Sequence, residues 1–153
     1  MPTVVETLQD IPIVKVVSMS TCVLAIDQDG TLYMWGTGSS ANSQKLTRSE
    51  MKPFPLDTLP VRQSVKDLSC GLGHALFLLE SGVVYSWGNG GNGRLGLGDL
   101  SDREQAVRVS LLPGDVCVCA VQCGASHSMA LLESGDLYSL SLIHISEPTR
   151  QSL

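Results

Sequence analysis

Basic residues are few and scattered in this sequence, with ten Lys and Arg against fifteen Asp and Glu and a formal charge of −5. No Lys/Arg stripe exists to neutralise phosphates, which argues against direct nucleic-acid contact and against attraction to an anionic membrane. Long apolar runs are missing as well. The longest uninterrupted one, Val116 to Val121, falls far short of the about 18 residues that a membrane helix needs. The opening MPTVVETLQD has no basic segment followed by an apolar one, so it does not read as an export signal. The expectation is a soluble, cytoplasmic protein, with the nucleus as the other compartment that these features permit. No segment of useful length shows clean helical periodicity, and α-helical architectures are disfavoured accordingly. What remains is still the composition of a globular chain: 43% apolar and 16% charged over 153 residues, enough for one packed domain.

Five cysteines, Cys22, Cys70, Cys117, Cys119 and Cys123, are an odd number in a chain without an export signal. A disulfide framework does not follow, and the thiols are expected to be reduced. Metal binding is the sharper alternative, because Cys117, Cys119 and Cys123 lie close together with His127 nearby. Yet VCVCAVQC alternates as a strand does and lacks a C-x-x-C pair, so small apolar core residues are the preferred reading, and no metal is expected.

The organising feature is an internal repeat. CVLAIDQDGTLYMWG (22 to 36), HALFLLESGVVYSWG (74 to 88) and HSMALLESGDLYSLS (127 to 141) are copies of one unit, with Gly30, Gly82 and Gly135 falling 52 and 53 residues apart. Tyr33, Tyr85 and Tyr138 repeat with the same spacing, and Cys70-Gly71 returns as Cys123-Gly124. Within each unit HALFLL and VVYSW are short, rich in β-branched and aromatic residues, and joined by ESG, which predicts a hairpin. A further strand, VKDLSC or VCVCAVQC, precedes it, and a weaker one such as QAVRVS is read as the first of four strands in a unit. Four antiparallel strands repeated every fifty residues or so suit propeller blades, whose apolar faces are covered only when neighbours stack on them. The fold class is therefore all-β, a partial, open β-propeller. Its units are 2–52 (degenerate), 53–104 and an incomplete 105–139, followed by a non-repeat tail, 140–153, expected to be disordered or artefactual.

These residues resemble the repeats of the regulator of chromosome condensation family. The second unit carries the theme at Gly71, His74, Leu76, Gly82, Val84, Tyr85, Trp87, Gly88, Gly93, Leu95, Gly96 and Gly98, and the third from Gly124 and His127 through Tyr138. The first keeps Gly30, Leu32, Tyr33, Trp35 and Gly36, but has Met19 and Cys22 where the glycine and histidine belong. The resemblance implies a propeller, typically of seven blades, that binds other proteins through its loops. Some members catalyse nucleotide exchange on small GTPases, and others attach such repeats to kinase or ubiquitin-ligase domains. Less than three units cannot close a ring, so further blades of a parent chain are expected to be needed.

Candidate chemistry resolves mostly into scaffold. Gly88, Gly90 and Gly93 spell G-x-G-x-x-G, but Gly96 and Gly98 follow, each disfavouring by about 1 kcal/mol the helix that a dinucleotide loop must open. His74 and His127 recur at equivalent positions, as structural histidines would. Ser69, Ser81, Ser126, Ser128 and Ser134 lack a nucleophile elbow, and Glu80 and Glu133 sit in equivalent turns rather than in two contrasting environments. Trp35 and Trp87 read as blade-packing aromatics. No catalytic, cofactor or metal residue is assigned, and the chain is not expected to be an enzyme. The function expected is a protein-interaction module, with guanine-nucleotide exchange on a small GTPase as the alternative. Partners are expected at loop 37–52 and at DLSDREQ (99 to 105), because variable loops on a rigid scaffold carry recognition.

Overall fold

Short segments rich in Val, Leu, Ile, Tyr and Trp pair as antiparallel strands throughout. The computed structural model describes residues 1–20, 22–36, 50–55, 57–141 and 149–150. Most of loop 37–52, and the tail apart from 140, 141, 149 and 150, lies outside the described residues. Three four-stranded sheets follow one another along the chain. The first holds β1 (Ile13–Met19), β2 (Cys22–Asp27), β3 (Leu32–Gly36) and β4 (Glu50–Pro55). The second holds β5 (Val65–Cys70), β6 (His74–Leu79), β7 (Val84–Gly88) and β8 (Arg103–Arg108). The third holds β9 (Val118–Cys123), β10 (Ser128–Leu132), β11 (Asp136–Leu140) and β12 (Thr149–Arg150).

Strand order within every sheet is sequential, as in an open propeller. The sheets, however, are out of phase with the sequence units by one strand. QAVRVS was expected to open the third unit, but β8 pairs with β7, Tyr85 opposite Arg108 and Gly88 opposite Arg103, and so closes the second sheet. Likewise β4 runs across the 52/53 limit and closes the first. Periodicity reports the length of a repeat but not its phase. Phase is set by the loop after Gly88, which turns the chain back onto the strand it has just left. The 139/140 limit also falls inside a strand: Leu140 ends β11 opposite Ser128 and is buried, and Thr149 and Arg150 pair with Leu137 and Asp136.

Two apolar layers lie between the three sheets. Leu24, Ile26, Leu32 and Met34 of the first sheet meet Leu68, Phe77, Leu79 and Trp87 of the second. Leu76, Leu78 and Val84 of the second meet Val121, Ala130, Leu132 and Leu140 of the third. Alternate side chains of β6 thus enter opposite layers, which is why HALFLL is buried at every position and reads as an unbroken apolar run. The end strand β1 alternates instead, leaving Val14 63% and Val16 59% exposed. Lys15 of β1 reaches across the first junction to an ion pair with Asp67.

The hairpin glycines distinguish a packed junction from an open one. Gly30, Gly82 and Gly135 all have positive φ, between +80° and +90°. A Cβ on Gly30 would stand 2.6 Å from Ser64 Cβ and from Val65 N, and one on Gly82 3.2 Å from Cys117, whereas Gly135 has nothing within 4 Å. Gly135→Ala is therefore expected to cost only the left-handed backbone penalty of about 1 kcal/mol. Gly30→Ala adds displacement of the start of β5 and should lower the urea midpoint clearly more; equal midpoints would contradict this packing.

Candidate functional site

The glycine-rich segment turns the chain between β7 and β8. Positive φ occurs at Gly88, Asn92, Gly93, Gly96 and Gly98, a backbone that glycine adopts at little cost. Its amides already have acceptors: Gly90 N–H donates to Asp102 Oδ1 at 2.9 Å, Gly91 N–H to Asn89 Oδ1 at 2.8 Å, and Gly93 N–H to Gly90 O at 3.1 Å. Beyond the single 3-10 turn Gly91–Gly93 the chain bends towards β8 without opening an α-helix. The amides of Gly90, Gly91 and Gly93 are thus committed within the loop, and no α-helix follows to aim its dipole at a pyrophosphate.

The same end of the sheets carries a polar junction between the second and third. His74, fully buried, places Nε2 2.9 Å from Ser128 Oγ, and that hydroxyl donates to Arg94 O at 2.8 Å. With its one proton committed, Ser128 must accept, so the neutral imidazole is assigned its proton on Nε2. Nδ1 is buried without a hydrogen-bond partner among the described residues. Burial, followed by the charge of nearby Arg94, pulls His74 down to about 4. The glycine of the G-x-x-H spacing makes room for the ring, since a Cβ on Gly71 would lie 2.2 Å from His74 Cε1; Gly124 stands in the same relation to His127. Arg94 Nη1 donates to Leu72 O at 3.1 Å and to Ala125 O at 3.4 Å, and Ser69 Oγ accepts from Cys123 N–H at 2.9 Å.

The residues singled out from sequence are not gathered into one centre. His74 and Ser128 meet, but Ser128 is spent on the Arg94 carbonyl and neither side chain reaches solvent. Ser81 bonds Gln63 and Ser134 bonds Asp136 at hairpin tips, where Glu80 and Glu133 are exposed. Trp87 donates to Glu104 O at 2.9 Å and packs at a tilt on Phe77. Cys123 donates its thiol to Ser69 O at 3.3 Å, and burial raises the Cys70 and Cys123 thiols above their ordinary range. Among the described residues no three His, Cys, Asp or Glu side chains lie together as metal ligands would. Ser69, Ser128 and Arg94 were missed as junction residues. The available signal was a mismatch within the repeat: Ser128 stands where the second unit has Ala75 and the first has Val23.

The loop 99–105 beside these contacts is held in shape. Asp99 pairs with Arg103 at 2.7 Å, Asp102 accepts from Gly90, and Leu100 is left exposed, as is Leu72 at the same end of the second sheet. At the opposite end, a cleft of about 360 Å³ lies between the β2–β3 turn and segment 57–64. Leu112 and Pro113 narrow its counterpart at the second junction to about 20 Å³. Polar, exposed loops on a rigid frame can recognise another protein, whereas the His74–Ser128 contact is closed off from solvent and its hydroxyl proton is held by Arg94 O.

Known proteins share both the sequence pattern and the fold. Two family models described as regulator of chromosome condensation (RCC1) repeats match residues 81–131 and 65–94. The ultraviolet-B receptor UVR8 of Arabidopsis thaliana is 33% identical over 139 residues, 90% of this chain and 31% of its own. The guanine nucleotide exchange factor SRM1 of Saccharomyces cerevisiae is 29% identical over 153 residues, 95% of this chain and 31% of its own. The crystal structure of Prp20p from Saccharomyces cerevisiae, reported with its binding properties to Gsp1p and histones, superposes with a TM-score of 0.69 at 24% identity, covering 92% of this chain and 36% of that one. The chain thus spans about a third of the length of each. Since the matched spacing is that of the glycines, imidazoles and hairpins that build the junctions, the chain is a run of regulator of chromosome condensation repeats, folded as three sheets of an open β-propeller.

Proposed function

We propose that the chain is a protein-interaction module, a propeller scaffold without catalytic chemistry of its own that offers its loops to protein partners. One observation carries this reading: His74, Ser128, Ser69, Arg94 and Trp87, the side chains with most chemical potential, are all committed to holding strands and sheets to one another. The recognition surface on this reading is the end that bears Leu72, the glycine loop and 99–105, where apolar and charged groups stand out from a fixed backbone. Replacing Asp99, Leu100 and Arg103 together with alanine should abolish partner capture while leaving the circular dichroism spectrum unchanged. Capture that survives the triple change would refute this placement.

The second reading is guanine-nucleotide exchange on a small GTPase, favoured by similarity to SRM1 along 95% of the chain. A panel of small GTPases loaded with a fluorescent guanine nucleotide separates the two. The module reading predicts release at the intrinsic rate when the chain is added. An acceleration of about tenfold or more, a change of about 1.4 kcal/mol in the barrier, would establish the exchange reading in its place.

A further inference from the structure

Ser69, Ser86 and Ser128 are buried and hydrogen-bonded, and Ser81 and Ser134 hold Gln63 and Asp136 at hairpin tips. Ser101 differs from all of these. It is exposed, and its backbone rather than its side chain anchors the loop between Gly98 and β8. Its N–H donates to Asp99 Oδ1 at 3.0 Å and its carbonyl accepts from Arg103 Nη1 at 3.2 Å. Gly90 passes so close that a Cβ there would stand 2.0 Å from the same carbonyl oxygen. Carboxylates flank the hydroxyl along the chain: Asp99 two residues before it, Asp102 one after and Glu104 three after. Of all the serines and threonines in the sequence, Ser101 alone is followed by an acid at both the first and the third position. Such flanks suit the basic substrate cleft of an acid-directed protein kinase, where each carboxylate meets a charge of opposite sign.

Arg103 stands ready to receive the product. Its Nη2 donates to Asp99 Oδ2 at 2.7 Å, and its Nη1 lies 3.2 Å from Ser101 O and 3.4 Å from Asp102 O, so the guanidinium already sits beside residue 101. A pair as exposed as Asp99–Arg103 is weak. A phosphate brings about −1.5 to −2 charges and three acceptor oxygens, and a guanidinium fork matches it bidentately. We propose that Ser101 is a phosphorylation site for an acid-directed protein kinase, and that its phosphate takes the Arg103 guanidinium from Asp99. The γ-phosphoryl group of ATP passes to Ser101 Oγ. As the Oγ–P bond forms, the bond from the γ-phosphorus to the bridging oxygen breaks, ADP leaves with that electron pair, and the hydroxyl proton goes to the kinase's base. The loop gains about two negative charges and the Asp99 carboxylate is released beside Leu100. The surface assigned above to protein partners thereby turns from mixed to acidic, and in this consequence alone the inference rests on the loop reading.

Casein kinase II and ATP added to the full chain should place a phosphoryl group that tandem mass spectrometry maps to Ser101. Ser101→Ala should remove that label, and protein kinase A, which selects basic flanks, should not add it. Asp102→Asn keeps the oxygen that accepts Gly90 N–H, and Glu104→Gln alters only an exposed side chain, so both variants should fold; each should slow labelling by about tenfold or more. On labelling, the Arg103 Nε–H signal in NMR should move downfield. In a phosphorus NMR titration the phosphoserine midpoint, near 6 for an isolated group, should rise in Arg103→Gln, because the carboxylates of Asp99, Asp102 and Glu104 then face the phosphate without the guanidinium. No label on Ser101, labelling indifferent to Asp102 and Glu104, or a midpoint indifferent to Arg103 would each overturn the proposal. Failure of labelling leaves loop recognition standing, and capture that survives the triple alanine change leaves the labelling of Ser101 standing.

Discussion

Phe77→Ala is expected to lower the unfolding free energy by about 3 to 5 kcal/mol and the melting temperature by roughly 10 °C. Phe77 is fully buried on β6 and points into the layer between the first and second sheets, its ring 6.4 Å from that of Trp87. The void left by truncation cannot collapse easily. Backbone hydrogen bonds across the junction, Val65 N–H to Gly30 O among them, and the Lys15–Asp67 pair hold the two sheets at a set distance. Stabilities of folded domains lie within about 5 to 15 kcal/mol, so this one change removes a large share. Leu131→Ala is the control: on the corresponding strand one sheet over and also apolar, it lies on the outer face of the third sheet and should cost less than about 1 kcal/mol. Thermal and urea unfolding followed by circular dichroism read both, and equal losses would mean that the first layer is not the core described here.

Acid should open the second junction before the first. His74 is neutral when folded and pulled down to about 4 by burial and by Arg94, from an ordinary value near 6.5 in the unfolded chain. Protons therefore favour the unfolded state. The stability from keeping His74 neutral is complete above about pH 6.5 and is lost as pH falls towards 4, about 3 kcal/mol in all. The cause is local: burial first and the charge of Arg94 second oppose another ring proton, which would sit on Nδ1, buried without a hydrogen-bond partner among the described residues. Cys22 holds the same position at the first junction and contributes nothing of the kind. His74→Asn, which removes the titrating group, should flatten the dependence of the urea midpoint between pH 6.5 and 4 relative to the wild type. Parallel curves for the two proteins would show that His74 is not the acid-sensitive group. Hydrogen exchange in the same range should rise first in β9 and β10.

Much of this was legible from spacing alone. Gly82 with Tyr85, and Gly135 with Tyr138, announced the hairpins, because a turn of fixed length demands φ > 0 at one place and pleated strands demand β-branched and aromatic residues around it. The glycines at 88, 93, 96 and 98 were readable as turn formers for the same reason. The phase of the sheets was not legible: β8 has the composition of a weak edge strand, and nothing local says whether it pairs backward with β7 or forward with β9. Nor was the role of Ser128. Its neighbours in sequence are strand residues, and besides Cys123 on the adjacent strand its hydrogen-bond partners, His74 and Arg94, lie 54 and 34 residues away.

The order of residues was enough to determine the repeat, its length, the hairpins and the all-β class, because each of these depends on contacts within a few residues or on periodicity. Only the tertiary structure decided which strand closes each sheet, which histidine is buried, and where the hydroxyl and guanidinium partners stand. Those outcomes depend on a neighbouring sheet being present. Identical positions in adjacent units acquire opposite environments, His74 covered and His127 open, solely because one has a sheet stacked against it.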